Sequence, residues 1–141
     1  MKVITIIQPW ATLIALREKK FETRSWSTKH RGELAIHAGK KVDKEACLRE
    51  PFKSTLAKYG YNADNLPTGV ILARCILRDC IEVVWTNGEY AILGISTRTA
   101  GGNEYAFGDF SQGRYAWEVS DIDEVDPIPV KGQQGLWNYP L

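Results

Sequence analysis

Lys2 to Ile7 is a run of mostly β-branched, apolar residues, the pattern of a buried strand. Gln8-Pro9 leads it into Trp10 to Arg17, where apolar residues recur at helical spacing, with Pro9 suited to a first turn that needs no N–H there. Phe21 to Arg24 reads as a short extended segment, followed by a polar stretch from Ser25 to Arg31. Gly32 to Ala38 alternates, placing Leu34, Ile36 and Ala38 on one face of a half-buried strand. Asp43 is the expected N-cap of a second helix with Ala46, Cys47 and Leu48 inward; Pro51 interrupts it before the pattern resumes from Lys53 to Tyr59. Pro67-Thr68-Gly69 turns the chain into a long β-rich run, Val70 to Val84. Gly94 to Gly113, rich in glycine and polar residues, reads as a long functional loop. Arg114 to Val119 returns to strand, Asp121 to Asp126 starts a turn, and Pro127 to Val130 is an extended edge. Leu136 and Trp137 call for burial near the end. Strands dominate and helices cluster early. The expected fold is α+β: one domain over residues 1–141, a small, mostly antiparallel β-barrel with flanking helices.

Composition changes this picture little. A hydrophobic fraction of 44% and a charged fraction of 25% fit an ordinary folded domain, and the apolar start is too short for a signal core or a membrane span. A cytoplasmic protein with no membrane partner is expected. Three cysteines, Cys47, Cys75 and Cys80, are odd in number and form no C-x-x-C pair, so reduced, mostly buried thiols are expected. Two histidines without clustered cysteine or aspartate give no metal signal, and no cofactor is implied. His37 fits a surface or packing role better than catalysis. Ser25, Ser96 and Ser111 lack a nucleophile's surroundings, and Ala100 to Asn103 is no phosphate loop by pattern.

Charge adds more. Residues 1 to 60 hold 13 Lys/Arg against 6 Asp/Glu, while residues 61 to 141 hold 5 against 11. Such a split suits either a region that meets phosphate or a solvated charged surface. Within the basic part, Lys19-Lys20-Phe21-Glu22-Thr23-Arg24 stands out. Extended backbone puts Glu22 and Arg24 on one face and Phe21 with Thr23 on the other. Lys19 can join them, and arginine can grip a phosphate or a planar base edge. The same spacing equally describes a surface ion-pair ladder. Trp10 shares a helical face with Leu13 and Ile14, so it suits core as well as base stacking; Trp26, beside Lys29, His30 and Arg31, suits stacking next to phosphate.

Ile7-Gln8-Pro9-Trp10-Ala11, Lys19-x-x-Glu22-x-Arg24-Ser25-Trp26 and Arg31-Gly32-Glu33-Leu34-Ala35-Ile36-His37-Ala38 together resemble the ASCH domain of the PUA-like group. Further matches are Gly113-Arg114-Tyr115-Ala116-Trp117 and Gln134-Gly135-Leu136-Trp137. The resemblance implies a PUA-like barrel whose cleft beside the first helix binds RNA or a nucleotide or nucleoside, with DNA a further candidate. Its site would involve Gln8, Trp10, Arg17, Lys19, Glu22, Arg24, Ser25, Trp26 and Arg31. The family signature G-x-K-x-x-E-x-R maps onto Arg17, Lys19, Glu22 and Arg24. Arg17 stands where the glycine would be, and a left-handed backbone there costs about 1 kcal/mol.

Family members also include an amidohydrolase acting on acetylated cytidine and a ribonuclease. By that resemblance Lys19 and Glu22 are candidate catalytic residues, Lys19 as a base if neutral, or Glu22 activating a water beside Lys19 and Arg24. The amidohydrolase type has threonine where Glu22 stands, and Thr23 should face away. Binding is therefore expected ahead of hydrolysis. A third reading is a regulatory protein-interaction domain using the glycine-rich stretch.

Overall fold

The computed structural model describes residues 1–95 and 98–141; Ser96 lies outside the described residues. Strand β1 (Lys2–Gln8) leads into the short helix α1 (Trp10–Ala15), then β2 (Phe21–Arg24) and β3 (Gly32–Val42). Helices α2 (Lys44–Leu48) and α3 (Phe52–Ala57) precede β4 (Val70–Thr86), β5 (Tyr90–Leu93) and β6 (Arg98–Gly101). Helix α4 (Gly102–Phe107), β7 (Tyr115–Pro129) and β8 (Leu136–Asn138) complete the order.

The main sheet runs β2-β7-β4-β3-β1-β8, with β5 and β6 extending the far end of β4. Pairing is antiparallel except between β1 and β3. The fold is thus mixed α+β and mostly strand, as expected, but the hydrogen-bonded path is open rather than a closed barrel. β1 has β3 along one side and β8 along only Lys2 to Ile4 of the other, and β2 does not pair with the remainder of that edge. A side chain spans the gap instead, Arg24 Nη2 donating to the Thr5 carbonyl at 3.2 Å.

The inner faces of β1, β3, β4 and β7 share one core of Ile4, Ile6, Leu34, Ile36, Leu77, Trp117 and Val119, closed by Ala11 and Ile14 of α1. Each large buried side chain contributes about 1.5 to 3 kcal/mol. β3 is not half-buried: Ala35 and His37, on its second face, are buried as well. The C-terminal segment covers them. Trp137 packs with Val3, Ala35 and Ile71, and its ring meets His37 edge-on at 5.5 Å. His37 therefore has a packing role, its Nε2 hydrogen-bonded to the Val130 carbonyl at 2.7 Å.

Three further expectations change. Gly94 to Gly113 is not one loop, because it contains β6 and α4, whose Ala100 and Phe107 are buried. The acidic stretch Asp121 to Asp126 is not a turn: β7 continues through it, pairing with the equally long β4 and absorbing mismatch in register shifts. Leu48 is exposed, since a five-residue helix that turns Ala46 and Cys47 inward has no second buried side. The cysteines are free thiols, Cys47 and Cys75 buried and Cys80 half-buried. Burial pushes the Cys75 thiol up to about 12.

Candidate functional site

A cleft of about 340 Å³ opens between the end of β1, the face of β2 and the α4–β7 connection. Trp10, Glu22, Arg24, Arg49, Asp109 and Arg114 contribute its polar and aromatic walls. Trp10 opens α1; its indole N–H donates to the Phe107 carbonyl and its ring meets Phe52 at 5.7 Å, so the side chain is fixed between two helices. At the mouth, Gly108 has no room for a side chain, because a Cβ there would sit 2.6 Å from the Phe110 ring.

Strand β2 presents its residues by alternation. Phe21 joins a cluster with Val83, Leu93 and Phe110, while Glu22 and Arg24 share a face, Arg24 Nη1 lying 3.5 Å from Glu22 Oε2. The Arg24 guanidinium also lies 5.9 Å from the Trp26 ring. Thr23 does not face away as alternation predicts: it lines the same cleft, where its Oγ1 accepts from the Asp109 N–H at 3.1 Å, because the α4–β7 connection wraps onto β2 there. Arg114 donates to the carbonyls of Thr23 and Asp109, both at 3.1 Å, which locks the connection against β2. The Ser111 hydroxyl holds the Asp109 carboxyl below its ordinary range, and Arg114 adds to the effect.

Lys19 is buried beneath this surface, with no exposed side-chain area. Its ammonium donates to the Phe21 carbonyl and lies 3.9 Å from both Glu22 Oε1 and Glu104 Oε2. Burial lowers its pKa from the ordinary lysine value, while Glu22 and Glu104 act in the opposite direction. The geometry starts at Arg17, whose φ of +64° is the left-handed conformation that glycine favours. That residue turns the chain so that the N–H groups of Glu18 and Lys19 both reach the Leu13 carbonyl, and Lys19 folds back under β2. Glu104 completes the cluster from α4, accepting from the backbone N–H groups of Lys20 at 2.7 Å and Phe21 at 3.3 Å.

The residues singled out in the sequence thus separate. Trp10, Glu22 and Arg24 line the cleft together with Thr23, and Lys19 supports it from below. Gln8 is buried behind it, its side chain accepting from the Thr12 N–H at 2.9 Å and donating to the Pro67 carbonyl at 2.7 Å, which caps α1. The Arg17 guanidinium turns away to the Ile122 carbonyl. Trp26 is half-buried edge-on against Trp117 at 4.8 Å. Ser25 is exposed outside the cleft lining, and Arg31 pairs with Asp79 at 3.2 Å on the outer surface. Sequence reasoning missed Arg49, Glu104, Asp109 and Arg114 as site residues. Arg114 lies inside a stretch that carried the resemblance; the others had no local pattern to mark them.

Among the described residues no group of three His, Cys, Asp or Glu side chains could hold a metal ion. No helix among them is long and apolar enough to cross a membrane. The ASCH domain profile matches residues 4–130. Activating signal cointegrator 1 of Mus musculus and that of Homo sapiens are each 33% identical over 82 residues, 56% of this chain. The chain matches only 14% of the length of those relatives. With the profile spanning nearly all of β1 to β7, the chain belongs to the ASCH domain family.

Proposed function

We propose that the chain binds RNA or a nucleotide in the cleft beside α1. The observation that carries this reading is the convergence of Arg24, Arg49 and Arg114 with Trp10 around one concave surface. Guanidinium groups suit phosphate and base edges, and an aromatic wall suits an unstacked base. Arg49 is exposed at the rim, its guanidinium 5.5 Å from the Phe52 ring, and is free to meet backbone phosphate. Titrating a short single-stranded RNA by fluorescence anisotropy should give affinity that falls steeply with salt, and Arg49→Ala should reduce the salt slope by about 0.7 for one lost phosphate contact. A DNA strand of the same sequence serves as the comparison ligand. Absence of binding at low ionic strength would overturn the proposal.

A second reading, hydrolysis of acetylated cytidine, draws on the burial that lowers the Lys19 pKa, the direction a general base requires. Its test is acetate release from acetylcytidine by the purified chain. Substrate left intact after prolonged incubation sinks it.

A further inference from the structure

Glu22 is an unusual carboxylate. Its side chain is 10% exposed, in the cleft wall, and it accepts no hydrogen bond from any described residue, although Lys19 and Arg24 flank it at 3.9 Å and 3.5 Å. Next to it, Arg24 spends Nη2 on the Thr5 carbonyl, while Nη1 makes no hydrogen bond to a described residue. The cleft wall therefore carries a guanidinium N–H and two carboxylate oxygens that are held by ion pairs but by no hydrogen bond to a described residue, next to Trp10 and around a space large enough for a planar ring. A carboxylate that meets its cations only at 3.5 and 3.9 Å gains from a ligand that brings donors within hydrogen-bond distance.

The geometry points to a guanine base as the ligand group, read along its Watson–Crick edge by Arg24 and Glu22. This rests on the nucleotide-binding reading above. Guanine presents an acceptor, O6, followed by two adjacent donors, the ring N1–H and the exocyclic amine. Set against this wall, O6 takes the Arg24 proton and the two donors meet the two oxygens of Glu22. Cytosine and adenine each offer only one donor group on that edge, with an acceptor beside it that would face the second carboxylate oxygen. Uracil places carbonyls on both sides of its single N–H, and one would oppose Glu22. Specificity thus arises from rejection as well as attraction. Arg49 and Arg114 remain at the cleft for the sugar-phosphate part.

The test is an atom deletion on the ligand, which leaves the protein untouched. Calorimetric titration of the full chain with guanosine monophosphate and inosine monophosphate compares a base with and without the exocyclic amine. Guanosine monophosphate should bind about tenfold tighter or more, the size of one hydrogen bond to a charged group. Adenosine, cytidine and uridine monophosphates should all be weaker than the guanine nucleotide. A parallel arm uses a uridine-rich RNA strand carrying one guanosine or one inosine, so that preference in either arm supports the inference and identifies its source as free nucleotide or RNA. In Glu22→Gln, whose folding is checked by thermal melting, the guanosine-to-inosine ratio should fall toward one. Equal binding of the two in wild type, or a ratio unchanged in Glu22→Gln, overturns the inference while nucleotide binding stands. Failure of every nucleotide and RNA to bind overturns the cleft reading itself.

Discussion

Two groups of paired charges in this protein differ in what surrounds them. Under the cleft, Lys19 has no exposed side-chain area and meets Glu22 and Glu104, which are 10% and 16% exposed. Across the sheet, Arg78 of β4 pairs with Asp121 of β7 at 2.5 Å, with the two side chains 55% and 62% exposed. The exposed pair is closer, yet water and salt screen it and both groups keep their hydration if separated. The cluster under the cleft is looser but dry. Separation there leaves charges with nothing to replace their partners. Distance alone is therefore a poor guide to which ion pairs organise the molecule; burial decides.

The sharpest way to break this comparison is Lys19→Met, which removes the cation and leaves two carboxylates facing one another. Urea denaturation should show a loss of about 3 to 5 kcal/mol. Its pH dependence adds a second readout. Because burial holds the folded-state pKa of Lys19 below its ordinary 10.5, the unfolded chain binds more protons in the interval between the two values. Wild-type stability relative to the variant should rise as pH climbs through that interval toward 10.5. A gap that stays constant with pH would mean that Lys19 titrates as an exposed lysine does. Glu104→Gln is milder, since one oxygen still accepts from the backbone of β2; a loss of about 1 to 2 kcal/mol is expected. Arg78→Ala should leave the unfolding midpoint unchanged within the scatter of replicates. If it proves as damaging as Glu104→Gln, burial is not what separates the two groups.

Much of the architecture was legible locally. The β-branched start, the alternation of Leu34, Ile36 and Ala38, and the run from Val70 each describe one element's own backbone preference, and each forms a strand. Asp43 caps α2 through the Ala46 N–H as expected, at 3.0 Å. At Arg17 the missing signature glycine left open a reshaped helix end or a charge added to the cleft rim; the φ of +64° keeps the left-handed turn, and the guanidinium leaves the cleft for the Ile122 carbonyl. Elements stabilised mainly by distant partners were not readable. β6 and α4 lie in a glycine-rich, polar stretch that looks like loop, and they form because β5 supplies an edge and Phe107 is buried against Leu13 and Phe52. β7 runs through its acidic segment because β4 holds it in register on one side.

The site divides along the same line. By itself the sequence determined the strand that carries the motif and the shared face of Glu22 and Arg24, since period-2 geometry depends only on extended backbone. The K-x-x-E-x-R spacing was equally compatible with a surface ladder and with a functional cleft. Only the tertiary structure separated them, by sinking Lys19 beneath β2, supplying Glu104 from 82 positions after Glu22, and leaving Glu22 on the cleft wall. Depth and solvent access come from elements packing across the chain, and no local pattern of residue types encodes them.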